Sequence, residues 1–161
     1  MIKAIIKKLR AEYKKEYIKR YALQRNVHDI KVLKKVERKI KNDLGVYPDV
    51  VYVDVKYKPL FDRKGVNGCY GKANNIIIVY ITNEFKKNLR TLCHEIVHAH
   101  QYHYNTKQYL SSVRAYRSGK VSYKNAWHEV DAREKAQNMV NGYYALACKI
   151  SAQLSAKVAA A

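Results

Sequence analysis

Hydrophobic positions recur along this chain at spacings of three and four over most of its length, and at spacings of two in a single short stretch. Ile2, Ile6, Leu9, Tyr13, Tyr17 and Tyr21 form a helical stripe with lysine and arginine between them. "RNVHD" at 25–29 interrupts the pattern. Ile30, Leu33, Val36, Ile40 and Leu44 then resume it, and Gly45 is placed to cap a second helix. Pro48 marks a boundary. In "VVYVDVKY" (50–57), Val51, Val53, Val55 and Tyr57 alternate onto one face, which predicts a strand. "KPLFDRKGVNGCYGKAN" (58–74), with Gly65, Gly68 and Gly71, reads as a loop. "NIIIVYIT" (75–82) is apolar enough for a strand that is central or covered on both faces. Asn83 is expected to cap a helix running to about Tyr104. Residues 105–124 are polar and are expected to be irregular. A long helix is expected from about Lys124 to Ile150, and the Ala-rich "SAQLSAKVAAA" (151–161) should be a fraying helix end or a disordered tail. The elements predict an α+β fold in three segments: basic helices over 1–45, a compact domain with a small antiparallel or mixed sheet over 46–150, and the tail over 151–161.

The chemistry concentrates in one of these helices. "TLCHEIVHAHQYH" (91–103) holds four of the chain's six histidines. His94, Glu95 and His98 form HExxH. Residues four apart on a helix share a face, so both imidazoles reach one ion, and Glu95 lies about 100° from His94, close enough to address a water there. Phe85, Leu89, Leu92, Ile96 and Ala99 cluster on the opposite side, giving the helix a face for the core and another for the ion. His100 and His103 lie on the apolar side and are expected to be half-buried or surface residues rather than ligands.

Imidazole nitrogens suit zinc, and a catalytic zinc takes a third protein ligand and keeps one position for water. "WHEVDAREKA" (127–136) offers His128, Glu129 and Asp131. On a helical wheel, Ala132, Ala136, Val140, Tyr143 and Ala147 all fall within about 60° of Glu129, whereas Asp131 lies about 200° away and His128 about 100°. A carboxylate on a core-facing stripe is costly unless it is paired or bound to a metal. Glu129 is therefore the expected third ligand. Asp131 and His128 are the alternatives, or partners of the ligands.

Residues 50–147, read as strand, glycine loop, strand, HExxH helix and glutamate helix, resemble the HExxH zinc metallopeptidases (zincins). They are similar in particular to small gluzincin-like members, in which a glutamate on a following helix completes the site. The resemblance implies a zincin-like domain over 46–150, with Glu95 as general base and an edge strand beside the active-site helix that binds extended peptide. It assigns that role to the strand at 75–82, with "GCYGKANN" (68–75) on the rim. Gluzincins often carry an aspartate four residues beyond the third ligand; here that position is Arg133, so an orienting carboxylate must come from Asp131 or elsewhere. SprT-like peptidases, which act at DNA, are a weaker comparison. Their third ligand is a histidine not far beyond HExxH, and no histidine lies between His103 and His128.

Composition adds a partner to this picture. The net charge is +19, with 15 tyrosines, and eleven of the net positive charges fall in residues 1–42. Such a field draws phosphate backbones, anionic membrane surfaces or acidic proteins, and tyrosine among the cations suits base stacking. Three widely spaced cysteines, without a CxxC pair, exclude a disulfide framework and a thiolate zinc site. The lysines of "MIKAIIKKLR" leave no signal-peptide core, and no apolar run approaches the roughly 18 residues that span a bilayer. The expectation is a cytoplasmic zinc-dependent metalloendopeptidase acting on protein or peptide, with Tyr116 or Tyr123 stabilising the oxyanion and the basic helices able to bind nucleic acid. The alternative is a non-catalytic nucleic-acid-binding or phage-type virion or assembly protein built on a zincin-like scaffold.

Overall fold

The computed structural model describes residues 28–58 and 66–160. The stripe at 2–21 and the part of the glycine loop before Val66 lie outside them. The first described helix, α1 (His28–Leu44), buries Ile30, Val32, Leu33, Val36 and Ile40. It ends where the periodicity ends. Gly45 takes φ +65° and the Val46 N–H donates to the Lys41 carbonyl at 3.2 Å, a Schellman closure that places buried Val46 against the core.

Three strands follow: β1 (Asp49–Asp54), β2 (Gly68–Gly71) and β3 (Ile76–Ile81), in the spatial order β1-β3-β2. β1 runs parallel to β3, with Asp49 opposite Ile76 and Asp54 opposite Ile81. β2 runs antiparallel to β3, with Gly68 opposite Val79 and Gly71 opposite Ile76. The mixed sheet agrees with the expected α+β class. Tyr52, Ile77 and Val79 point into the main core, while Val51, Val53, Ile76, Ile78 and Tyr80 form a second cluster on the other face. This two-sided burial is why β3 is apolar at nearly every position.

The strand expected over 50–57 stops at Asp54. Its carboxylate accepts the Lys56 N–H at 2.9 Å and turns the chain into a short 3-10 segment, Val55–Tyr57, that leaves Val55 exposed. Two further corrections concern the sheet. Residues 68–71, read as loop, are a strand. And the strand at 75–82, assigned by resemblance to the cleft edge, is central, so the edge role falls to β2. Four residues with a glycine at each end carry too little alternation to announce a strand.

The histidine-bearing helix is α2 (Phe85–Tyr104). Asn83 does not cap it. Asn88 reaches back instead, accepting the Thr82 N–H and hydroxyl at 3.0 and 2.9 Å and donating to the Thr82 carbonyl at 2.8 Å. That clamp ties the start of α2 to the end of β3. Residues 105–124 are not irregular: Thr106–Arg117 form α3, with Tyr109 buried and Val113 and Tyr116 half-buried. A 3-10 turn, Tyr123–Asn125, leads into α4 (Trp127–Ala159). α4 runs past Ile150 through most of the expected tail, held by Leu154 against the core and by a 2.7 Å hydrogen bond between His28 Nε2 and the Ser151 hydroxyl. The core unites Leu33, Val36 and Ile40 of α1 with Leu89, Leu92 and Ile96 of α2 and Ala136, Val140 and Ala147 of α4. The composition break near residue 45 is therefore a change in charge within one packed core.

Candidate metal centre

α2 and α4 lie against each other, and the site sits where their polar faces meet. Leu89, Leu92 and Ile96 are fully buried, which turns the opposite side of α2, with His94 and His98, towards the first turn of α4. The buried stripe of Ala132, Ala136, Val140 and Ala147 carries Glu129 inwards as the sequence indicates, leaving it 6% exposed. One ligand atom from each of His94, His98 and Glu129 lies within 4.8 Å of the others. His94 Nε2 is 3.0 Å from His98 Nε2, and each is 3.4 Å from an oxygen of Glu129.

The surrounding hydrogen bonds fix how these groups point. Gln101 is fully buried, and its Nε2 donates to the His128 carbonyl at 3.0 Å and to Asp131 Oδ2 at 2.7 Å. Both partners accept only, so the amide orientation follows, and its Oε1 faces His98 Nδ1 at 2.9 Å. His98 therefore carries its proton on Nδ1 and presents the Nε2 lone pair to the cluster. Asp131 thus lies outside the three converging groups. It acts on His98 through Gln101, supplying the orienting carboxylate that Arg133 cannot. Helical spacing alone does not single out Gln101, because its role comes from contacts with α4.

His128 also stays outside the cluster. The Ser112 hydroxyl of α3 accepts the His128 backbone N–H at 3.2 Å and meets its Nδ1 at 2.8 Å. These two contacts hold the ring against α3, with His128 Nε2 3.6 Å from Glu129 Oε1. Burial holds the His128 pKa below its usual value, which keeps the ring neutral. His100 is half-buried and His103 exposed, both away from the three converging groups. Cys69 belongs to the second apolar cluster.

Electrostatics match a cation site. Burial opposes the charged form of Glu129, yet the facing His94 and His98 rings outweigh it and hold the carboxyl well below the usual range. Burial likewise opposes protonation of His98, but the Glu129 and Glu95 carboxylates and Gln101 leave its pKa raised. Glu129 Oε2 is buried without a hydrogen bond. Two imidazoles and one carboxylate, converging where burial has stripped the carboxylate of water, are a donor set that fits a divalent cation and suits zinc in particular.

Beside these groups opens a cleft of about 480 Å³, lined by Gly68 of β2, Arg90, Thr91, His94 and Glu95 of α2, Tyr123, and Arg133 of α4. Glu95 is 6% exposed, and burial raises its pKa against the pull of His98 and His94. Gly68 lets β2 approach: a Cβ there would stand 2.6 Å from Thr91 Cγ2, 2.9 Å from the Ile78 carbonyl and 3.1 Å from Glu95 Cγ. Of the two tyrosines considered for the oxyanion, Tyr123 lines the cleft. Tyr116 stacks edge-on behind it, with ring centroids 5.7 Å apart.

No curated protein and no solved structure matches this chain. A family model described as "Protein of unknown function (DUF3920)" matches residues 61–146, just over half of the length. That span holds HExxH, β2, Gln101, Ser112 and Glu129 together, and the chain belongs to this DUF3920 family.

Proposed function

We propose that this chain is a zinc-dependent metallopeptidase, with His94, His98 and Glu129 as the ligands and Glu95 as general base. The observation that carries the reading is the convergence of those three ligand atoms within 4.8 Å, beside a buried glutamate in an open cleft. When bound, zinc supplies a Lewis acid for the peptide carbonyl and lowers the pKa of a coordinated water towards about 7.

The chain's own groups do the rest. Glu95 takes the proton from the attacking water and returns it to the leaving amine. Burial raises its proton affinity in the direction that both transfers need near neutral pH. Tyr123 keeps its hydroxyl proton, because burial and the facing Glu129 carboxylate push its pKa up, and it donates a hydrogen bond to the developing oxyanion. β2 borders the cleft through Gly68, and among the described residues it is an edge strand, whose outer side is placed to align an extended peptide. Glu95→Gln keeps the size of the side chain and removes the base, so the variant should bind zinc as the wild type does and cleave a casein or peptide-library substrate at least a hundredfold more slowly. Equal cleavage by that variant refutes the mechanism.

A second activity rests on α1, whose outer face exposes Lys31, Lys34, Lys35, Arg38 and Lys39. We propose that this face binds nucleic acid or a nucleoprotein particle, a property shared by a recruited peptidase and by the alternative, a non-catalytic virion or assembly protein. Among the described residues no helix is long and apolar enough to cross a membrane. Duplex DNA binding that weakens steeply with salt supports this property; salt-insensitive binding, or none, contradicts it.

A further inference from the structure

The cleft carries a charge that the cleavage chemistry does not use. Arg90 lies one helical turn before His94 on α2, and Arg133 lies one turn beyond Glu129 on α4. Both guanidinium groups therefore flank the metal centre on the faces that carry the ligands, and both line the same cleft as His94 and Glu95. Among the described residues neither has a carboxylate partner. Arg133 donates to the Lys124 carbonyl, which occupies part of one planar fork, and the Arg90 guanidinium makes no hydrogen bond or ion pair among the described residues. The next hollow along the groove shares Asn67, Arg90 and Thr91 with the cleft and adds Lys86 and Lys87. Its one carboxylate, Glu84, is 3.7 Å from Lys87. Within the cleft the carboxylate is Glu95, which the reaction employs.

We infer that the cleft selects a carboxylate next to the scissile bond, with Arg90 and Arg133 as specificity-determining residues. The inference rests on the peptidase reading and names its substrate class: peptides with Asp or Glu flanking the cleaved bond, or peptides whose terminal carboxylate lies one residue beyond it. Guanidinium groups match carboxylates in a planar, two-pronged geometry. One helical turn is about 5.4 Å, the scale on which a side chain adjacent to the reacting carbonyl extends. The same pair repels a lysine or arginine at that position.

The test uses full-length, zinc-loaded protein and three labelled five-residue peptides that differ only in a central Glu, Ala or Lys, each made as the free acid and as the C-terminal amide. The wild type should cleave the Glu peptide about ten- to a hundredfold faster than the Ala peptide, the range that a charge-assisted hydrogen bond covers. Lys should be the slowest. A Glu preference kept in the amides assigns the carboxylate to the side chain, and faster cleavage of the free acids than of the amides, whatever the central residue, assigns it to the peptide terminus. Arg90→Ala and Arg133→Ala should each shrink the Glu-to-Ala ratio, and Arg90→Glu should tilt it towards Lys, a gain that misfolding cannot produce. Equal rates for all six peptides in the wild type, or a preference for Glu or for the free acids that survives loss of both arginines, overturns the inference while leaving the peptidase intact. If wild type cleaves none of the peptides, the peptidase reading has failed. Anisotropy of the same peptides on the zinc-loaded protein then decides the carboxylate site: arginine-dependent binding of Glu over Ala supports it, and equal binding overturns it.

Discussion

His98 shows how much of the centre depends on a residue that carries no chemistry of its own. Its Nδ1 is held by Gln101, and Gln101 is oriented by Asp131 and the His128 carbonyl. Replacing Gln101 by Leu removes the acceptor that fixes the ring, leaves Asp131 without the amide, and lets the imidazole turn or change tautomer. Zinc affinity, measured by competition with a chromophoric chelator, should fall about ten- to a hundredfold while the fold persists. An unchanged affinity would show that the packing of α2 alone orients His98. HExxH and the stripe that turns Glu129 inwards are both legible in sequence, because spacing on a helix determines direction. Gln101 and Ser112 are not, since they act through three-dimensional contacts with α4 that no local pattern records.

At the scale of elements, β2 is the piece that makes a cleft out of two helices. It is four residues long, begins and ends in glycine, and approaches α2 closely only because Gly68 has no Cβ. Gly68→Ala would press a methyl group on the Thr91 methyl, the Glu95 stem and the Ile78 carbonyl. The backbone contact cannot give way as a flexible side chain can, so β2 must shift. We expect a stability loss of about 1–3 kcal/mol, read from urea denaturation, with cleavage falling further than stability alone accounts for. Full activity in that variant would remove β2 from the substrate site. The helices α1, α2 and α4 were readable from their periodicity. β2 was not, because a glycine-bounded strand reads as a loop, and α3 was hidden by its polar surface, although Tyr109, Val113 and Tyr116 do keep helical spacing. The long reach of α4 was missed because an alanine-rich stretch gives few signs that Leu154 and Ser151 are held by the core and His28.

For the whole molecule, the core joins α1, α2, α4 and the sheet, and the candidate metal-binding cluster of His94, His98 and Glu129 bridges α2 and α4 within it. A ligand that binds only the folded state stabilises it by mass action. Stripping the ion with a chelator should therefore lower the Tm, and restoring zinc should recover it. The difference depends on pH in a definite direction. In the metal-free chain the His98 pKa is raised above 6.5, so its contribution to stability is present below 6.5 and is lost as pH rises through the folded value. Zinc needs the neutral ring, so its stabilisation runs the other way. The gap in Tm between zinc-loaded and stripped protein should widen from pH 6 to pH 8; a gap that is constant or narrows would mean that His98 is not a ligand.

The most direct measurement is the metal content of the purified protein, wild type beside Glu129→Ala, by elemental mass spectrometry after exhaustive dialysis. One zinc per wild-type chain and a loss of that zinc in a variant that still folds is the predicted result. A wild type without tightly held zinc, or a Glu129→Ala variant that retains it, would contradict the account.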